Sequence, residues 1–208
     1  MMTNRFPPEF HDLQVLCDKV EAAECRYDAR TARGFICSLP NELLRSELIQ
    51  IVKEFVCVNF VEQGLGVVTA IHEGKTGHDL SKYNPHAHIL VTTRTIGPDG
   101  FSSKKDREHD KREYIDVRRE QWAAVQNMAY ERSGLDIRVS HKSLKAQGEF
   151  DLEPTLHLSP AEFQKERAGQ RTPAVDRYHE IQERNKLRQQ ERTLLLELER
   201  ELCVERSR

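Results

Sequence analysis

No stretch of this 208-residue chain holds the roughly 18 consecutive apolar residues that a membrane-spanning helix needs, so no segment reads as a membrane span. Cysteine is sparse. The five present, Cys17, Cys25, Cys37, Cys57 and Cys203, are scattered, odd in number and never spaced as CxxC. That argues against a disulfide framework and predicts a reducing compartment with most of these thiols buried as small apolar residues. No secretory signal opens the sequence, and the expected location is the cytoplasm. An excess of either charge is also missing: Lys plus Arg number 32, Asp plus Glu 34, and the formal net charge is −2. A whole-molecule attraction to nucleic acid is thereby excluded, and any such surface must be a local basic patch. No internal repeat occurs. With 38% hydrophobic and 32% charged residues, the chain is polar for a globular protein, and part of it should lie outside any core.

What is present falls into two parts, 1–159 and 160–208. In the first, Pro7 and Pro8 open a helix with Phe10, Leu13, Leu16 (or Cys17) and Val20 at helical spacing. ARGFICSLP is short and apolar, stops at Pro40, and reads as a strand. Asn41 is placed to cap a helix that closes at Gly64, with Leu44, Leu48, Ile51, Val52, Phe55 and Val56 recurring along it. LGVVTAIHE is β-branched and short, hence a strand. GKTGHDLSKYNP is a loop, and HAHILVTTRTI is a strand of about ten residues. VRREQWAAVQNMAYERSG forms a helix with Trp122, Val125 and Ala129 on one face, and DIRVSHKSLKAQG is a short strand or loop. Residues 160–208 are rich in Glu, Arg, Gln and Leu. From PAVDRY onward they predict one long charged helix. Ile181, Leu187, Leu194, Leu198 and Leu202 give only a ragged heptad, compatible with a coiled coil or with a solvated extension.

The segment YNPHAHILVTTR carries the chemistry. Alternate residues of a strand share a face, so His86 and His88 stand side by side, with Cα atoms about 6–7 Å apart. Two imidazoles at that spacing can converge on one ion. Pro85 cannot donate to a ladder and suits the strand's start, which puts the pair at a rim. His72 ends the preceding strand. Antiparallel pairing would bring it level with His86 and His88 as a third ligand. Three neutral nitrogen donors leave open positions and the full 2+ charge, which suits Lewis-acid activation of a phosphate. His78, in the loop, competes for the role. His11, His109 and His179 read as surface residues.

AIHEG, NPHAHILVTTRTIGPDGF, REQWAAVQNMAYERSGLDIRVSHKSLKAQG and PTLHLSP, in that order, resemble the MobA/MobL family of plasmid mobilisation relaxases, within the HUH endonucleases. EAAECRYDARTARGFICSLPNEL resembles the segment leading into that domain's second strand. The resemblance covers roughly residues 7 to 160. It implies an α+β fold, an antiparallel sheet with helices packed on it, followed here by the long C-terminal helix. It implies that His72, His86 and His88 hold a divalent metal, Mg²⁺ or Mn²⁺ with Zn²⁺ as a further option. The metal polarises a scissile phosphate at a transfer origin, and a tyrosine attacks to leave a 5′-phosphotyrosine on single-stranded plasmid DNA. Relaxosome accessory proteins are the implied partners. In the family that tyrosine lies near the N-terminus, on a first strand that MMTNRF does not supply. Tyr27, Tyr83, Tyr114, Tyr130 and Tyr178 do not match its position, so the catalytic nucleophile is unassigned. The expectation is therefore an N-terminally truncated relaxase-like domain over 1–159 and a charged helical extension over 160–208.

Arg94, six residues beyond His88, shares its face by strand alternation and is a candidate phosphate contact. RVSHKSL matches the block near the family's DNA-binding cleft, which nominates Arg138, His141 and Lys142. Three functions are in play: origin-specific nicking, DNA binding by a catalytically inactive remnant, and metallohydrolysis by the three histidines with Glu73 or Asp79 as acid or base.

Overall fold

A computed structural model describes residues 6–73 and 84–206, without the side chains of 203–206. Tyr83, His78 and Asp79 lie outside the described residues. The chain divides into two compact units, Met1–His141 and Lys142–Arg208. The architecture is α+β, with an antiparallel sheet, packed helices and a long C-terminal helix.

The sheet of the first unit contains β1 (Ala32–Ser38), β2 (Leu65–His72) and β3 (His86–Gly97) in the order β1-β3-β2, with the short β4 (Gly100–Phe101) paired to the end of β3. Both neighbours run antiparallel to β3. Strand alternation sorts the side chains. Ala87, Ile89 and Val91 are fully buried, while Leu90 between them is 51% exposed. The buried set joins Phe35, Cys37 and Ile71 against α2 (Arg45–Val56) and α3 (Arg112–Arg132). From α2, Leu48, Ile51, Val52 and Phe55 enter this core, each contributing roughly 1.5–3 kcal/mol by burial. Trp122 of α3 meets Phe55 edge to face at 4.9 Å and donates its indole N–H to the Ser38 carbonyl. On the opposite face α1 (Leu13–Ala22) covers only the end remote from the histidines, where Phe10 and Leu16 pack with Ile96, Val68 and Phe101. Gly66 permits this approach: a Cβ there would lie 2.9 Å from Ile96 Cδ1 and 3.1 Å from Thr92 Cγ2.

Buried charge ties the sheet to the start of α3. Arg33 donates from Nε to Asp110 at 2.8 Å, from Nη1 to the Thr92 carbonyl at 2.9 Å, and from Nη2 to the Asp106 carbonyl. Arg118 lies over the Phe60 ring at 5.0 Å and the Tyr114 ring at 5.1 Å.

Several local expectations are corrected. The first helix does not start at Pro7–Pro8. A 3-10 turn, Pro8–His11, comes first, and Asp12 restarts the chain as a helix by accepting a hydrogen bond from Val15 N. Leu13 is then 57% exposed rather than inward. Asn41 is not the cap of α2, because Leu39 and Leu43 are drawn into the core and the helix begins only at Arg45, after Leu44. That helix loosens into a π segment, Cys57–Val61, before Gly64 reverses the chain at φ +84°. The 135–139 segment has a strand's alternation, with Leu135, Ile137 and Val139 against the core, but no ladder partner among the described residues. Asn127 supplies the missing bonds, donating to the Val139 carbonyl at 2.9 Å and accepting from its N–H at 2.8 Å. Cys17 and Cys25 are exposed rather than buried, since their positions fall away from the α1 core contacts. His109 is not a surface residue. Its side chain is 7% exposed, held by Asp106 and by Gln63 at 2.6 Å, because the charged loop folds back over Phe60.

The second unit contains α4 (Pro160–Arg167), capped by Ser159, and α5 (Pro173–Arg206). Val175 and Ile181 of α5 are buried, whereas Leu187, Leu194, Leu198 and Leu202 are each more than half exposed. An extended strap runs beside α5: Arg184 grips Glu153 with two 2.8 Å bonds, and Asn185 bonds the Glu153 backbone on both sides. Those guanidinium bonds, from Arg184 first, bring the Glu153 carboxyl down to about 2. No helix among the described residues is long and apolar enough to cross a membrane.

Candidate metal centre

The β2–β3 ladder pairs His72 with His86 and Ala70 with His88. One face of two adjacent strands therefore presents all three imidazoles, as antiparallel pairing demands. Ring centroids are 5.4 Å apart for His72 and His86, 4.5 Å for His72 and His88, and 5.1 Å for His86 and His88. One ring nitrogen from each lies within 4.8 Å of the others. Metal–nitrogen bonds of about 2.0–2.1 Å are reached from there by small rotations of the side chains. His72 is exposed and the other two half-buried, so the cluster opens to solvent.

The Asn-Pro dipeptide sets the ligand geometry. His86 Nδ1 lies 2.9 Å from the Asn84 carbonyl. A carbonyl only accepts, so the proton belongs on Nδ1 and the Nε2 lone pair is left for a metal. Pro85 is fully buried, and its carbonyl accepts from Leu39 N at 2.8 Å, tying the start of β3 to the end of β1. Desolvation, then the neighbouring His72 and His86, hold the His88 pKa below the ordinary histidine value. It is therefore neutral at pH 7 and available as a ligand.

The remaining candidates are distributed differently. Arg94 is six residues from His88, at most roughly 20 Å at strand rise, and between them the β2–β3 register shifts, Val67 facing Val91 but Leu65 facing Thr95. Arg94 Nε bonds Glu24 at 3.0 Å and its Nη1 the Ser102 carbonyl at 3.2 Å. Burial alone would raise the Glu24 carboxyl, but Arg94 and Lys105 outweigh it and hold it low. His141 is exposed and lines a groove of about 440 Å³ beside β1, together with Ile36 and Ser38. Those two β1 residues pair with His88 and His86 respectively, while the rest of the lining comes from Phe35, α3 and residues 139–141. Arg138 is exposed, with Nη1 bonded to the Ile137 carbonyl. Lys142 is exposed and begins the second unit. Glu73, the acid or base a hydrolase would use, is ion-paired with Arg45. Sequence reasoning missed the exposed apolar pair beside the histidines, Ile36 at 72% and Leu90 at 51%. The signal was strand parity with His88, which the apolar character of both residues concealed.

An antiparallel sheet backed by helices, with three histidines converging at one strand end, defines a relaxase-like α+β protein. The MobA/MobL family model matches residues 1–168, and the chain belongs to that family of mobilisation relaxases. The probable mobilization protein MobA of Bifidobacterium longum is 28% identical over 87% of this chain, and the conjugal transfer protein TraA of Agrobacterium fabrum is 32% identical over 68%. The chain spans 38% and 14% of the length of these two relatives. A solved structure reported as "Molecular Basis of Vancomycin Resistance Transfer in Staphylococcus aureus" superposes with a TM-score of 0.60 at 30% identity, covering 69% of this chain and 73% of that one.

Proposed function

We propose that this chain carries the strand-nicking module of plasmid mobilisation, acting on single-stranded transfer-origin DNA with a divalent ion held by His72, His86 and His88. The observation that carries the reading is the meeting of three imidazole nitrogens within 4.8 Å on an open sheet face. Three neutral donors fit a metal that must keep its charge and free positions for a phosphate. When bound, the ion supplies neutralisation of charge on the non-bridging phosphate oxygens. The chain's own residues do the rest. The Asn84 carbonyl fixes the His86 tautomer, Pro85 anchors the strand start, and the His141 groove beside Ile36 and Ser38 receives the neighbouring nucleotides. Imidazole donors favour Mn²⁺ or Zn²⁺ over Mg²⁺, which prefers oxygen.

A second reading, DNA binding without cleavage, draws on the tyrosines. Tyr130 donates to Glu42, and burial first, then Glu42, pushes its hydroxyl up to about 12. Tyr114 is stacked between Arg118 and His109. Tyr130, buried and bonded to Glu42, is withheld from attack on a phosphate. Incubation of the purified protein with Mn²⁺ and a labelled single-stranded origin oligonucleotide separates the readings. A covalent protein–DNA adduct supports nicking, binding without an adduct supports the second reading, and cleavage without an adduct points to a hydrolase.

A further inference from the structure

A second cleft, of about 580 Å³, opens at the far end of β3 where α1 meets the start of β1. Six cationic side chains line it, Arg26, Arg30, Arg94, Lys104, Lys105 and Arg107, against two anionic ones, Glu24 and Asp28. In a chain of net charge −2 such a surplus on one wall is a strong local departure. The acids present are already engaged. Asp28 takes both bonds of Arg26 at 3.0 and 2.8 Å. Glu24 is shared by Arg94 at 3.0 Å and Lys105 at 2.9 Å, while Arg30 reaches outside the lining to Asp110. Lys104 and Arg107 are exposed, and neither side chain has an ion pair or hydrogen bond among the described residues.

The ion pairs give this surplus a fixed shape. Glu24 draws Arg94 and Lys105 together across the cleft, and Lys105 Nζ also donates to the Arg30 carbonyl at 2.7 Å. The wall is thus held in place, and Lys104 and Arg107 project from it. Among the described residues no aromatic side chain lines the cleft, the exposed Tyr27 next to Arg26 lying outside the lining, so the walls themselves offer nothing for a base to stack on. Cations without stacking surfaces select a phosphodiester backbone and ignore its sequence. Arg94 also marks the distance to the histidine cluster: six residues of β3, at most roughly 20 Å, separate it from His88.

We infer that this cleft is a second, sequence-independent phosphate site that holds a single strand a few nucleotides away from the one at the histidines. The inference rests on the DNA substrate proposed above. It assigns Lys104 and Arg107 as the direct phosphate contacts, and Glu24 as the residue that positions Arg94 and Lys105.

The test uses the full chain and a fluorescent 20-nucleotide oligothymidine, with affinity measured from 50 to 200 mM salt. Counterion release predicts a log–log slope near −3 for about four neutralised phosphates, at roughly −0.7 each. The double variant Lys104→Ala/Arg107→Ala should bind about ten- to thirtyfold more weakly at 0.1 M salt, with the slope reduced by about 1.4. Its Mn²⁺ affinity by calorimetry should equal that of the wild type. Both residues are exposed, and circular dichroism checks that the variant is folded. Equal affinity and slope in variant and wild type overturn the cleft while leaving the metal-centre reading intact. A wild type that does not bind oligothymidine, or binds with a slope near zero, also overturns it. His86→Ala should keep oligothymidine binding while losing Mn²⁺, so failure at one site is distinguishable from failure at the other.

Discussion

His72 stands opposite His86 across the β2–β3 ladder, with ring centroids 5.4 Å apart, and β1 puts Ile36 opposite His88 on the other side of β3. The histidine cluster is therefore a product of register. A slip of one residue in β2 would turn His72 to the helix-packed face and replace it with Ile71 or Glu73. What fixes the register is the core on the opposite face, where Ala87, Ile89 and Val91 must meet α2 and α3.

Removal of any one imidazole leaves two ligands. The variants His72→Ala, His86→Ala and His88→Ala should each weaken Mn²⁺ at least tenfold by isothermal titration. Wild-type protein should bind Mn²⁺ more tightly than Mg²⁺. Unchanged affinity in all three variants would remove the centre. Thermal stability should hardly alter, because the cluster lies on the open face rather than in the core.

The buried guanidinium of Arg33 gives a stability prediction. Its side chain is 5% exposed and its partners are Asp110, the Thr92 carbonyl and the Asp106 backbone. Arg33→Ala strands these acceptors and should cost roughly 3 kcal/mol. Chemical denaturation measures this, and a loss below about 0.5 kcal/mol, the range of ordinary surface changes, contradicts it.

How much of this was legible in the sequence depended on the kind of signal. Strand period and β-branching marked β1, β2 and β3, and HxH plus a third histidine marked the histidine cluster, because backbone parity alone brings the three together. Contacts made across the fold were not legible. His109 was read as a surface residue in a charged loop, yet the loop folds back to lay it against Phe60, and no local pattern records that. Arg94 is held by Glu24, and that pairing depends on where α1 ends. The start of α2 failed for a related reason: Asn41 is a good cap by type, and burial of Leu43 outweighed it.

Alkaline pH should loosen the packing of α3 through Tyr130. Its hydroxyl is pushed up to about 12 by burial first and by Glu42 next, against 10 for the free group. The folded state therefore keeps a proton that the unfolded chain loses above pH 10. The stabilisation is complete below pH 10 and is lost as pH rises from 10 towards 12. Midpoints of urea unfolding at pH 9, 10 and 11 should fall across that window, and Tyr130→Phe should flatten the fall. A wild-type midpoint that rises from pH 10 to 11 reverses the predicted sign.

Asn127 replaces a missing strand. Its amide donates to the Val139 carbonyl and accepts from the Val139 N–H, the pair of bonds a β ladder would have given. Asn127→Ala removes both and should cost about 1–3 kcal/mol, since each net hydrogen bond contributes about 1 kcal/mol. Asn127→Asp keeps the acceptor but sets a carboxylate against the carbonyl, and should also loosen the segment. The effect should be local. Hydrogen exchange at Val139 should accelerate while Ile89 and Val91, in the middle of β3, stay protected. Such a pattern would mean that Arg138 and His141 are held in place by one side chain of α3. Uniform acceleration across β3 would instead make Asn127 part of the global fold, and the groove beside β1 could then not be tuned separately from the sheet that carries the histidines.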